Sequence, residues 1–431
     1  MLFSKERKEL NLKMEVIESK LIGEKEYIEK LENGMKIIVV PKHQTNKKYI
    51  IWGTKFGSID NHFIEPNTNK EIKVPDGVAH YLEHKMFEQK SGVDSLFTLM
   101  SLGLDANAYT TNDHTAYLFG GVDNFYKGLD ELMDYVQNPY FTDQNVEKER
   151  GIIGQEIGRY DDEPAWKLYI NAMRCLYTNN PVRIDTAGTV ETISHITKEI
   201  LYSCYNTFYH PSNMVMCIAG DFEPEKIIEE VKKRLLPRKP IEKIKRIYED
   251  EPNHINKKQI VADMNVNMPL FMVGYRDYLK EEDNAKKDIA LKIIFNSLLG
   301  KSSKVYKELY ESGLLMTELS FDYEYSDIYS HVLFSGESKE PEKVYEKITK
   351  TLKEDELTKE DFERSKKRIF GEFVTIFDDV EEIGRTILND KMHNINTLET
   401  AEKIENINYE YVNYIKNKMF NNDESIISIV K

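Results

Sequence analysis

The chain has 431 residues, 40% of them hydrophobic and 31% charged, with a formal net charge of −15. That length exceeds one compact domain and predicts two or more of about 150–220 residues with ample apolar cores. The acidity excludes a nucleic-acid binder, whose footprint would be basic, and offers no attraction to an anionic membrane surface.

Three cysteines, Cys175, Cys204 and Cys217, lack C-x-x-C spacing and read as buried free thiols in a reducing compartment. The opening Met1-Leu2-Phe3-Ser4-Lys5-Glu6 leads into mixed charge, without the apolar core of a signal peptide. No apolar run approaches a membrane span. The expectation is a cytoplasmic protein.

In chain order, Asn33-Gly34 before Lys36-Ile37-Ile38-Val39-Val40 predicts a hairpin turn and a strand, and 49–56 a second strand. Pro75-Asp76-Gly77 breaks the chain ahead of a helix for which Asp76 is the expected N-cap. That helix contains His80-Tyr81-Leu82-Glu83-His84, which is H-x-x-E-H, the inverse of the H-E-x-x-H metalloprotease signature. At 3.6 residues per turn, Glu83 lies about 60° to one side of His80 and His84 about 40° to the other. Two imidazoles and a carboxylate thus share one face, while Val78, Ala79, Leu82 and Met86 share the opposite one and can anchor it to a core.

Segments 105–110 and 115–119 read as a strand pair around Asn112-Asp113, followed by helices at 124–136 and 144–160, a strand at 214–221 and a helix at 224–235. The stretch from Leu236 to Lys258 is rich in Pro, Lys and Glu without periodicity and reads as a linker. Beyond it the succession recurs: a strand at 270–275, a helix at 282–299, strands within 317–335 and helices at 340–353 and 359–375. The expected fold is α+β, with two similar domains of about 200 residues, each a mostly antiparallel sheet packed with helices. Residues 1–236 form the metal-binding domain, 237–258 the linker and 259–431 a second domain. The second contains His331 and His393 but no paired ligand spacing.

A catalytic zinc takes three protein ligands and keeps one position open. His80 and His84 supply two ligands and leave Glu83 free as a base. The helical segment 147–156 offers Glu149 and Glu156, two turns apart on one face. An exposed acidic face is the plainer alternative for that pair.

Several motifs together resemble the pitrilysin/insulinase family of zinc peptidases, which includes the mitochondrial processing peptidases. About seventy residues after H-x-x-E-H comes E-R-x-x-I-x-x-E-I, running from Glu149 to Ile157. Leu31-Glu32-Asn33-Gly34-Met35, Phe56-Gly57-Ser58, Glu83-His84-Lys85-Met86-Phe87, Asn107-Ala108-Tyr109-Thr110 and Pro211-Ser212-Asn213-Met214 resemble further signatures of that family. The resemblance covers the first half of the chain. It implies that Glu156 is the third ligand of one Zn2+ per chain, and that Glu149 acts as a catalytic-site carboxylate orienting a ligand histidine. It also implies that Phe87 lines the pocket, and that Asn107, Ala108 and Tyr109 form a sheet edge to which an extended peptide substrate adds as a strand. The two domains would form half of a clamshell that admits short or unfolded peptides.

One departure matters. The family's second domain usually carries R-E-K-G-L-x-Y, whose Arg and Tyr stabilise substrate and oxyanion. In the matching stretch Tyr310 stands at the Arg position and Met316 at the Tyr position, and a neutral phenol does not replace a guanidinium. The pattern resembles the metal-bearing subunit of bacterial two-gene pairs, of the type associated with aminopentanol modification of elongation factor P. It implies a zinc endopeptidase subunit completed in a heterodimer by a paralogous subunit bearing Arg and Tyr, a homodimer being the other pairing. The competing reading is a non-catalytic, chaperone-like peptide-binding subunit of the same fold.

Overall fold

The computed structural model describes residues 14–431 apart from 67, 240 and 281. The expectation about a leader peptide lies outside the described residues.

Two sheets organise the chain. The first has seven strands in the spatial order Glu15–Ser19, Glu24–Lys30, Lys36–Pro41, Met214–Gly220, Lys48–Thr54, Thr115–Gly121 and Asp105–Thr110. Every pairing is antiparallel except that of Lys36–Pro41 with Met214–Gly220. The second has five strands, in the order Gln259–Ala262, Ser425–Val430, Leu270–Arg276, Ser330–Glu337 and Ser320–Tyr325, and is again antiparallel but for its first pair. The mostly antiparallel α+β fold is as expected. Asn33-Gly34 makes the expected turn: Gly34 has φ +91°, and the hairpin brings Lys30 opposite Lys36.

The central strands of the first sheet are apolar on both sides because helices cover both faces. One face, with Ile37, Val39, Ile50 and Trp52, packs against the helix Val78–Met86 and its neighbours. The other face, with Tyr49, Ile51, Val215 and Cys217, is covered by Val380–Met392, a helix from the far end of the chain. Gly384 permits that approach, since a Cβ there would sit 2.6 Å from the Tyr49 ring. The exchange is reciprocal. Helix Pro164–Leu176, from the first half, lays Leu168, Ala172 and Leu176 on Met272, Leu333 and Ile426 of the second sheet.

The segment read as a linker is pinned along its course. Lys245 and Arg246 pair with Ile64 and Phe63. Arg246 Nε donates to the buried Asp60 Oδ1 at 2.5 Å, and Glu251 accepts the backbone N–H groups of Thr178, Asn179 and Asn180. No described helix is long and apolar enough to cross a membrane.

Candidate metal centre

The helix Val78–Met86 starts at Gly77, not at Asp76. Gly77 has φ +92°, and a Cβ there would lie 2.4 Å from the Ala187 carbonyl oxygen, so the crowded left-handed turn suits glycine alone. Asp76 accepts instead from Asn61 Nδ2 at 3.0 Å, which corrects the expected N-cap. Val78, Ala79, Leu82 and Met86 are buried, as the amphipathic pattern requires. The second helix, Asp143–Asp161, is fixed at its start by a capping box between Thr142 and Asn145. Tyr81 OH donates to the Val146 carbonyl and locks the two helices in register.

That register brings the expected ligands together. Donor atoms of His80, His84 and Glu156 all lie within 4.8 Å of one another. Glu156 Oε2 is 3.4 Å from His84 Nε2 and 3.8 Å from His80 Nε2. A tetrahedral zinc with bonds of about 2.0–2.1 Å has ligand–ligand edges of about 3.4 Å, so the spacing fits.

The hydrogen bonding fits as well. Glu149 Oε1 lies 3.2 Å from His84 Nδ1. A carboxylate only accepts, so Nδ1 carries the proton and Nε2 presents a lone pair. That lone pair faces a carboxylate oxygen, an arrangement that repels unless a proton or a metal cation lies between. Tyr160 OH donates to Glu156 Oε1 at 2.7 Å and leaves Oε2 turned toward the histidines.

Burial, reinforced by the neighbouring His84, pushes the His80 pKa down to about 4, so its imidazole is a neutral donor near pH 7. Burial also works against a charged His84, but the Glu149 hydrogen bond and the carboxylates Glu83, Glu149 and Glu156 outweigh it and raise its pKa. Burial acts to raise Glu149, yet His84 and Lys85 hold it below the ordinary carboxylate range. Glu83 is raised by burial, with its bond from Thr110 opposing. Thr110 Oγ1 donates to Glu83 Oε2 at 2.7 Å, which places the end of the edge strand against the acid.

A relative in Bacillus subtilis, the uncharacterized zinc protease YmfH, is 39% identical over 404 residues, 92% of this chain and 94% of that protein. The chain belongs to the insulinase (M16) peptidase family. The model "Insulinase (Peptidase family M16)" matches residues 69–190, and "Peptidase M16 inactive domain" matches 195–369. A probable mitochondrial-processing peptidase subunit beta of Arabidopsis thaliana is 31% identical over 179 residues, 40% of this chain and 33% of that one. Among solved structures, an M16-like peptidase from Alicyclobacillus acidocaldarius superposes with a TM-score of 0.89 at 31% identity, over 98% of this chain and 99% of that one. The periplasmic protease PqqL of Escherichia coli shares the fold at 18% identity and a TM-score of 0.71, over 97% of this chain but 48% of that longer chain.

Other expected site residues of this M16 member fall as follows. Strand Asp105–Thr110 ends the first sheet and pairs, among the described residues, with Thr115–Gly121 alone. Asn107 is exposed on it, Ala108 is half-buried, and Tyr109 packs edge-on against His114 beneath the guanidinium of Arg385. Phe87 is 8% exposed, with its ring against Tyr117 and Tyr135. Its ring lies in the apolar cluster packed against the helix. Tyr310 and Met316 are 56% and 50% exposed. Thr110, Tyr160 and Lys85, each bonded to an expected site carboxylate, were not singled out from the sequence. Thr110 and Lys85 meet partners far along the chain, which leaves no local pattern, whereas the four-residue spacing of Glu156 and Tyr160 on one helix is a signal that could have found that partner.

Proposed function

We propose that this chain is the metal-bearing subunit of a zinc-dependent endopeptidase that cuts short or unfolded peptides and holds one Zn2+. The observation that carries the reading is the convergence of His80, His84 and Glu156, with Glu83 on the same helical face and held by Thr110. Zinc, when bound, supplies a Lewis acid that makes water acidic near neutral pH and polarises a peptide carbonyl.

The chain's own residues supply the rest. Glu83 has one oxygen engaged by Thr110 and the other free to take a proton and return it to the leaving amine. Its burial raises its pKa and so makes it a better proton acceptor. Glu149 keeps His84 in one tautomer, and Tyr160 keeps Glu156 turned to the metal. Among the described residues no strand pairs with the outer side of the edge strand Asp105–Thr110, on which an extended peptide can add by main-chain hydrogen bonds. Its last residue touches Glu83, which brings such a peptide beside the base.

Tyr310 and Met316 leave the oxyanion without a fixed cationic donor from this chain, so a paralogous partner supplies Arg and Tyr. Three buried free thiols support a reducing, cytoplasmic setting. The same Tyr310 and Met316 favour the second reading, a non-catalytic peptide-binding subunit. A quenched-peptide assay on the zinc-loaded chain, with and without the paralogue, separates the two. Glu83→Gln is expected to bind zinc like the parent and to lose cleavage; retained cleavage refutes the role of Glu83. Peptide binding without turnover in the complete pair favours the second reading.

A further inference from the structure

Lys85 follows the ligand His84 and lies about 100° further round the helix, so its side chain leaves along the back, away from the metal face. It is a lysine with no exposed surface at all. Its Nζ donates to Glu88 Oε2 at 2.6 Å and to Glu149 Oε2 at 3.3 Å. The other oxygen of Glu149 is the one bonded to His84 Nδ1. One carboxylate is therefore held between a fixed ammonium and a metal-facing imidazole.

We propose that Lys85 is a positioning residue for zinc binding, acting through Glu149 on His84. The proposal rests on the zinc-site reading above.

A plain tie between two helices explains the arrangement less well. An apolar side chain in this place would join the helices without the desolvation cost of a buried ammonium, so a lysine needs a reason beyond cohesion. The division of labour on Glu149 supplies one. With Oε2 anchored to Nζ, the carboxylate cannot rotate, and Oε1 stays on Nδ1. Without the ammonium, Glu149 is a nearly buried anion with a single donor and turns toward water. His84 then loses the bond that selects its tautomer and points Nε2 at the metal. Lys148 does not substitute, because its Nζ is exposed and reaches only Glu88 Oε2, at 4.0 Å.

The test is zinc affinity, measured on the full chain by competition with a chromophoric chelator, with the visible spectrum of the cobalt-substituted protein reporting ligand geometry. Lys85→Met is expected to weaken zinc binding about 10–100-fold and to change the cobalt spectrum. The double variant Lys85→Met with Glu149→Gln leaves no unpaired buried charge, and its amide oxygen still accepts from Nδ1. It is expected to recover affinity to within a few-fold of the parent, and it decides the matter if the single variant does not fold. A Lys85→Met protein with parental zinc affinity and only a lower melting temperature overturns the proposal. So does a double variant that binds zinc at least about tenfold more weakly than the parent. If the parent itself binds no zinc, the zinc-site reading fails, a result distinct from either.

Discussion

Removing the Thr110 hydroxyl isolates what the edge strand contributes to the base. Thr110→Val keeps a β-branched side chain of nearly the same shape, so the strand and its pairing with Thr115 persist. The main loss is the 2.7 Å hydrogen bond to a buried carboxylate, beside a longer 3.3 Å contact with the neutral Thr115 hydroxyl. Bonds to charged groups contribute about 1.5–3 kcal/mol. At 1.36 kcal/mol per decade, kcat/KM should fall roughly 10–100-fold if that bond holds Glu83 in its working position. The pH profile gives an independent sign. Burial raises Glu83 and Thr110 opposes that by stabilising the anion. Without the hydroxyl the acid is harder to ionise, so the acid limb of kcat/KM moves to higher pH. Zinc affinity should stay parental, because Thr110 touches none of the three ligands. The assay is cleavage of a quenched peptide by the zinc-saturated pair across pH. An unmoved acid limb with kcat/KM within about twofold of the parent would refute the reasoning.

Tyr160→Phe removes the shorter of two donors to Glu156 Oε1, leaving Arg159 at 3.5 Å, and should weaken zinc about tenfold in a chelator competition while leaving the fold intact. Asp113→Asn tests the junction between the halves. Asp113 Oδ1 is bonded to His114 at 2.7 Å and Oδ2 to His393 at 2.6 Å. Burial alone would raise the Asp113 pKa, but those two bonds hold it well below the ordinary value of 3.8. A depressed acid contributes stability that is fully present above its unfolded pKa and lost as pH falls through the folded one. Asp113→Asn should therefore cost about 2 kcal/mol near neutrality, with the difference from the parent shrinking below about pH 4. Urea midpoints across pH measure it, and a difference that persists in acid counts against the assignment.

The parts of this molecule legible in its sequence are those written in short-range periodicity. The proposed ligand pair His80 and His84 shows because one helical turn brings positions four apart onto one face. Strands such as 36–40 and 214–221 show because unbroken uncharged runs, Ile37 to Val40 and Met214 to Gly220, make up most of them. The third ligand needed the family spacing, since composition cannot tell Glu156 from any other acid on an acidic helix. Strands Glu15–Ser19 and Glu24–Lys30 were hidden by their charges. They pair at the sheet margin, where Glu26 is wholly buried against Lys391, a residue near the other end of the chain. Gly77 displaced Asp76 as the cap because the turn must pass the Ala187 carbonyl, a contact no local pattern announces.

The exchange of helices changes what the two halves are. We propose 1–236, 237–258 and 259–431 as a division between sheets, with one helix of each half packed on the other's sheet. Val380, Ile383, Ile387, Leu388 and Met392 are all buried, in the cluster that covers the back of the metal-bearing sheet. At about 1.5–3 kcal/mol for each buried side chain of this size, five contribute roughly 8–15 kcal/mol. That helix is therefore much of what shields the back of the first sheet from water. His393, just beyond that helix, binds Asp113 in the hairpin that ends the edge strand, and Arg385 within the helix lies over Tyr109 on that strand. The strand proposed to receive substrate is thus braced from behind by the second half. Even a second half without Arg and Tyr at positions 310 and 316 has a physical reason to be retained: it holds the front of the site in shape for whatever completes it.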